Sequence, residues 1–277
     1  MNTGIISLLL IIANVAVSYR GLTSPGFFER YEFSVERLLV YRDYKRLVTS
    51  GFLHVSWRHL FFNMLSLYFF SGSAELFLGP VGFLLVYFAS LIGGNLFSLF
   101  VHRHDSSYSS VGASGAVCGL IFASIALAPG MRIGLFFLPI YLPAWIYGVA
   151  FVLYSIYGIR SRKNNIGHEA HLAGALVGMG LALLLHPEAL AGNLLTIGAV
   201  ALPAIAFIYV IITRPHALLV DNLFYKSEQK TYSIDHRYNA EKRDRQAELD
   251  RILEKIHKHG MASLSKSERE LLERYSR

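Results

Sequence analysis

Over its first 213 residues this chain carries little charge and its apolar residues run in long blocks. A membrane-crossing helix needs about 20 mostly apolar residues. Seven blocks approach that length: Met1–Tyr19, His59–Ala74, Leu76–Val101, Ser106–Met131, Ile133–Ile159, Ala170–Pro187 and Ala189–Thr213. Glu75 interrupts the second, which continues to Leu78 and ends at a Gly79-Pro80 turn. The first lacks a basic leader and a small-residue cleavage site, so it reads as a retained helix. The fold class is therefore all-α, a polytopic membrane helix bundle.

Two stretches break the pattern. Arg20–Arg58 is a long loop rich in Phe, Tyr and Arg, and its part Phe27–Val48 mixes aromatic anchors with charge as a segment in the membrane interface would. The fourth block opens on Ser106-Ser107-Tyr108-Ser109-Ser110. A helix from Ser114 to Ala128 would measure about 22 Å, short of the ~30 Å hydrocarbon core. Its start should lie below the membrane surface behind irregular backbone, which is tolerated there only inside protein or beside a wet cavity. The pattern thus predicts a polar cavity at Ser114.

After Thr213 the chain becomes polar. Residues 214–236 read as linker. Ala240–His259 reads as an amphipathic helix with Leu249, Ile252, Leu253 and Ile256 on one face, and Gly260 suits its end. Ser265-Lys266-Ser267-Glu268 has the form of a capping box opening a second short helix with Leu271, Leu272 and Tyr275. The expected organisation is a six-helix membrane core over 1–187, a seventh helix over 188–213, the linker, and a soluble helical hairpin over 237–277. So small a hairpin buries little, and it is expected to dock a protein partner or the membrane surface.

Composition agrees. Of 277 residues 53% are hydrophobic and 16% charged, with mean hydropathy +0.41, and 25 of the 45 charges fall in the last 64 residues. The single cysteine, Cys118, excludes a disulfide framework and a thiolate-rich metal site. A net charge of +7 brings no basic stripe with interleaved aromatics, so a nucleic-acid partner is not expected. Sorted by helix parity, 25 of the 26 Lys and Arg residues share one membrane face, with Arg132 on the other. That bias would make the crowded face cytoplasmic.

Polar groups inside spans are expensive and default to functional hypotheses. They are His59, Asn63, Glu75, Asn95, Ser114, Ser124 and His171. Ser114 stands in Gly-x-Ser-Gly at a helix start, where unpaired N–H groups can stabilise an oxyanion. Gly115 and Gly119 match Gly174 and Gly178, four apart on their helices, and such small-residue pairs let two helices approach closely. That approach would bring Ser114 within reach of His171, as base activation of a nucleophile requires.

Gly112-Ala113-Ser114-Gly115, with Ala170-His171-x-x-Gly174-x-x-x-Gly178, resembles the rhomboid family of intramembrane serine proteases. The run His54, His59, Asn63 on the second helix is similar to that family's, as are Glu75 and Leu78-Gly79 at its far end. The resemblance spans about Tyr44 to Leu185. It implies a dyad of nucleophile Ser114 and general base His171, and oxyanion or substrate contacts from Asn63, His59, Gly112 and the Ser114 amide. It also implies that His54 helps retain water, that no cofactor or metal is needed, and that substrates are transmembrane proteins met in the lipid bilayer. It implies a bacterial inner or plasma membrane with the site open to the exterior, against the charge count. The family expectation is followed for the site, and absolute orientation is left open.

Other readings are bland. Ser124 should bond back to a carbonyl one turn earlier. His168 and Glu169 should cap their helix and face water, Glu75 should be structural, Cys118 a packing residue, and His102 and His104 ordinary loop residues. The competing functional reading is a non-catalytic rhomboid-like binder, which has no need of an oxyanion hole. A transporter is disfavoured by the absence of inverted repeats.

Overall fold

The computed structural model describes residues 4–134, 141–161, 167–213 and 249–272, except 259, 266 and 270. The chain forms two compact units, Met1–Thr231 and Tyr232–Arg277. The first is an all-α polytopic membrane bundle. Its long helices are α1 (Ile5–Thr23), α5 (Trp57–His102), α6 (Ser114–Leu127), α7 (Ala144–Ser161), α8 (His168–Leu185) and α9 (Pro187–Thr213), with α2 (Pro25–Tyr31), α3 (Val35–Leu39) and α4 (Arg46–Thr49) as short helices between α1 and α5. Gly79, at φ +66°, breaks α5 into two hydrophobic arms just before Pro80. That conformation is open to glycine at no steric cost, and Pro80 removes the amide a continuous helix would need.

Helix α6 is the axis of the bundle: every residue from Gly115 to Ala126 is buried. At 14 residues it is about 21 Å long. A helix apolar on all sides has no lipid or water face to satisfy and belongs in the centre. The second arm of α5, together with α8, encloses it. Ser7 donates to the Glu75 carboxylate at 2.8 Å, and Asn14 donates to Tyr87 at 3.4 Å, so polar contacts pin α1 to both arms of α5. Glu75 is thus structural, bonded to α1.

The loop between α1 and α5 is folded, with short helices and a core of its own. Phe33, Val35, Leu38 and Leu47 form a small core of their own, with Leu99 and Tyr108 packed on it. The Arg46 guanidinium is buried and donates to the Glu29 and Glu32 carbonyls at 2.8 Å and to Asp43 at 3.0 Å. Strand β1 (Phe33–Ser34) pairs antiparallel with β2 (Ser109–Ser110), tying this cap to the segment that enters Ser114. The fifth apolar block begins differently from the span expected there. Arg132–Gly134 (β3) and Tyr141–Pro143 (β4) pair as a hairpin, and helix starts only at Ala144. Pro143, with φ fixed and no N–H, suits the entrance to a helix and not its interior.

The second unit holds α-helical residues 249–258, 267–269 and 271–272. Ile252 and Leu264 are buried, but Leu253, expected on the apolar face, is 53% exposed. Gly260 has φ +72° and its amide closes on the Ile256 carbonyl at 2.8 Å. The capping box is formed reciprocally: Ser265 N–H donates to Glu268 at 2.7 Å, and Glu268 N–H to Ser265 Oγ at 3.3 Å. Lys255 also grips Glu268 at 2.9 Å, joining the two helices. The linker 214–236, the expected helical turns at 240–248 and Tyr275 lie outside the described residues.

Candidate active site

Three helices meet at glycines. A Cβ on Gly174 would sit 2.5 Å from the Gly115 carbonyl oxygen, and one on Gly178 would collide with the Gly119 backbone. A Cβ on Gly94 of α5 would stand 2.6 Å from the Ala170 oxygen. Helices α6 and α8 thus touch backbone to backbone, as do α5 and α8 at Gly94, while the Ser90 side chain of α5 fits against Gly119. The first turns of α6 and α8 are thereby brought together, and His171 Nε2 lies 2.6 Å from Ser114 Oγ. Both residues are half-buried, covered from bulk solvent without being sealed off.

Ser114 is the first residue of α6, so its amide belongs to the turn that has no intrahelical acceptors. Gly112, just before it, has φ +133°, and a Cβ there would press to 3.0–3.1 Å from the His59 ring. Only glycine fits both the backbone and the neighbour. The Gly112 amide is held by the Ser50 carbonyl at 3.0 Å. His59 and Asn63 stand one turn apart on α5, whose start Ser56 caps by accepting from the His59 amide at 3.2 Å. Asn63 donates to the His59 carbonyl at 3.2 Å, and since an amide group carries two N–H donors, one is left.

His54 sits beneath, fully buried, its ring 4.9 Å from that of His59. Its Nδ1 is 2.8 Å from Ser18 Oγ on α1, and its Nε2 is 3.5 Å from the Ala113 amide. Burial, and then the adjacent His59 ring, push its pKa down to about 3. Chemically, the geometry offers an alcohol hydrogen-bonded to an imidazole, with the Gly112 backbone and the His59 ring close by. Among the described residues no cluster of His, Cys, Asp or Glu could hold a metal ion.

Residues at the edge of the site depart from expectation. His168 and Glu169 are buried and do not face water. Glu169 Oε1 accepts from Ser98 Oγ at 3.2 Å, from His102 Nε2 at 3.2 Å and from Tyr108 OH at 3.1 Å. His102 stacks flat on Tyr108, centroids 3.6 Å apart, so it is no ordinary loop residue. Asn95 is occupied structurally, donating to the Leu47 carbonyl at 2.8 Å. Ser124 bonds back to the Leu120 carbonyl at 3.0 Å, and Cys118 is buried.

Residues 41–188 match the Rhomboid domain, and residues 232–277 match a family of unknown function (DUF6576). The chain is 31% identical over 189 residues to RHOMBOID-like protein 12, mitochondrial, of Arabidopsis thaliana, covering 62% of this chain and 55% of that one. It is 33% identical over 156 residues to Rhomboid protein 1, mitochondrial, of Saccharomyces cerevisiae, covering 54% and 45%. With Rhomboid protease AarA of Providencia stuartii it shares 25% identity over 251 residues, 80% of this chain and 88% of that protein. The chain spans about half the length of the two mitochondrial relatives.

Proposed function

The chain belongs to the rhomboid family, and from that premise we propose that it is an intramembrane serine endopeptidase working through Ser114 and His171. The observation that carries this reading is the 2.6 Å separation of Ser114 Oγ and His171 Nε2. Ser114 Oγ attacks the carbonyl carbon of a substrate peptide bond while His171 Nε2 takes the hydroxyl proton. The carbonyl oxygen becomes an oxyanion, met by the Ser114 amide, the free N–H of Asn63 and the His59 ring. His171 then gives its proton to the leaving amine, releasing one fragment and leaving an acyl ester on Ser114. Water, deprotonated by His171, hydrolyses the ester and restores the serine.

The substrates are transmembrane proteins, cut where a helix end can unwind into the site, because no water is available in the lipid core beyond it. No step of this chemistry calls on a metal or cofactor. The kinship with Rhomboid protease AarA of Providencia stuartii supports a bacterial plasma membrane as its location, and the tail hairpin is assigned to docking a protein partner.

Purified protein in detergent is expected to cleave a transmembrane reporter, and Ser114→Ala and His171→Ala should each lower kcat by at least about 10³-fold. A fluorophosphonate should label Ser114, which a pure binder would not allow. Cleavage that survives Ser114→Ala overturns the reading.

A further inference from the structure

Glu169 carries a buried carboxylate to which the proposed chemistry gives no task, yet it is among the most heavily bonded side chains near the dyad. Its Oε1 receives Ser98 and His102 from the last turns of α5 and Tyr108 from the loop ahead of α6. Burying a carboxylate is costly unless donors converge on it, and here three do. The partners are themselves fixed. Tyr108 is stacked on His102 and set edge-on to Phe33 of the cap, and its carbonyl accepts from the Val35 amide at 3.1 Å. The next residues, Ser109 and Ser110, form β2 and lead directly to Gly112 and Ser114. Glu169 thus joins the end of α5, the loop that delivers the nucleophile, and the first turn of α8, two residues before His171. It points away from His171, since residues two apart on a helix lie on different faces.

We propose that Glu169 is a positioning residue for the dyad: its carboxylate clasps Ser98, His102 and Tyr108 and so fixes the first turn of α8 against the loop that delivers Ser114. The inference rests on reading Ser114 and His171 as the reacting pair. The glycine contacts set how closely α6 and α8 approach, and the cap holds the loop through β1–β2 and the Ser50 carbonyl, but neither joins the loop to α8. The clasp makes that join at the entrance. Without it the 2.6 Å Ser114–His171 contact rests on the glycine contacts and on the cap's hold on the loop, neither of which ties α8 to that loop, and a displacement of about 1 Å is enough to cost about 10²-fold in rate.

The test uses the full chain in detergent with Glu169→Ala, Glu169→Gln and Tyr108→Phe. In Glu169→Ala, kcat should fall by about 10²-fold while KM stays within about twofold, because alignment is lost and substrate binding is not. Glutamine keeps an accepting oxygen for all three donors, so Glu169→Gln should recover kcat to within about fivefold of the parent. Tyr108→Phe keeps the stacked ring and removes one donor, and should fall between them. Independently of cleavage, hydrogen exchange across 106–113 and 167–172 should rise by about tenfold or more in Glu169→Ala, with α6 unchanged. Unchanged kcat in Glu169→Ala, a glutamine variant as impaired as the alanine one, or unaltered exchange in those segments overturns the clasp. Should Glu169→Ala fail to fold, the glutamine and Tyr108→Phe variants decide by the same measures. A parent protein that neither cleaves nor reacts with fluorophosphonate sinks the protease reading instead, and the exchange comparison still judges the clasp.

Discussion

Ser18 Oγ donates to the Phe52 carbonyl at 2.8 Å, so it must accept from His54 at the other 2.8 Å contact. That fixes His54 as the neutral Nδ1–H tautomer and leaves the Nε2 lone pair for the Ala113 amide. A proton on Nε2 would turn an acceptor into a second donor facing an N–H. The folded pKa of about 3 lies below the ordinary histidine value, so the folded state resists this proton and the unfolded chain accepts it. Stability from His54 is therefore complete above about pH 6.5 and is lost as pH falls from there toward 3, by up to about 1.4 kcal/mol per pH unit. Thermal unfolding in detergent should show this acid loss in the parent and a flatter profile in His54→Asn. Ser114, His171, Asn63 and His59 were legible as residues because polar groups stand out against apolar spans. Glu169, His102 and Tyr108 were not: a polar residue at the end of a span looks like one that faces water, and its partners lie more than 60 residues away in sequence.

Helices α6 and α8 owe their distance to what glycine lacks. Gly174→Ala would force a methyl to 2.5 Å from the Gly115 carbonyl, and the two backbones would have to part. Overpacking of this kind costs about 1–3 kcal/mol. The expected outcome is a lower thermal midpoint together with slower fluorophosphonate labelling of Ser114, since the same separation lengthens the Ser114–His171 contact. Gly180→Ala, on α8 where nothing lies within 4 Å of the added carbon, should leave labelling unchanged and stability equal or higher. Loss of labelling in both would show that the helix, and not the glycine contact, was at fault. The long helices and the Gly79 break could be read from block length and from the Gly-Pro pair. The cap could not. Its helices are four to seven residues long, too short for periodicity to register, and its core is assembled with Leu99 and Tyr108 from beyond α5's first arm.

At the scale of the whole chain, charge separates two kinds of matter: a bundle that evades water and a tail that seeks it. Each holds together by its own contacts. In the tail, bonding to Lys255 and to Ser265 keeps the Glu268 carboxyl down at about 2, so the clasp between the helices survives until strongly acid pH and weakens only as pH drops from about 4.5 toward 2. Every residue assigned to the proposed chemistry lies between His54 and His171 in the other unit. Deletion of 232–277 should therefore leave reporter cleavage in detergent within about twofold, with any loss confined to native membranes where a partner is present. The membrane path of the bundle makes a second demand. From the cap, the chain passes along both arms of α5 and then α6 before reaching the β3–β4 hairpin, an odd number of crossings. Tyr41→Cys and Arg132→Cys should thus react with an impermeant maleimide from opposite sides, against a silent background because Cys118 is buried. Which of the two cysteines reacts in intact cells then identifies the side on which Ser114 opens, and labelling of both from one side would overturn the three-crossing path.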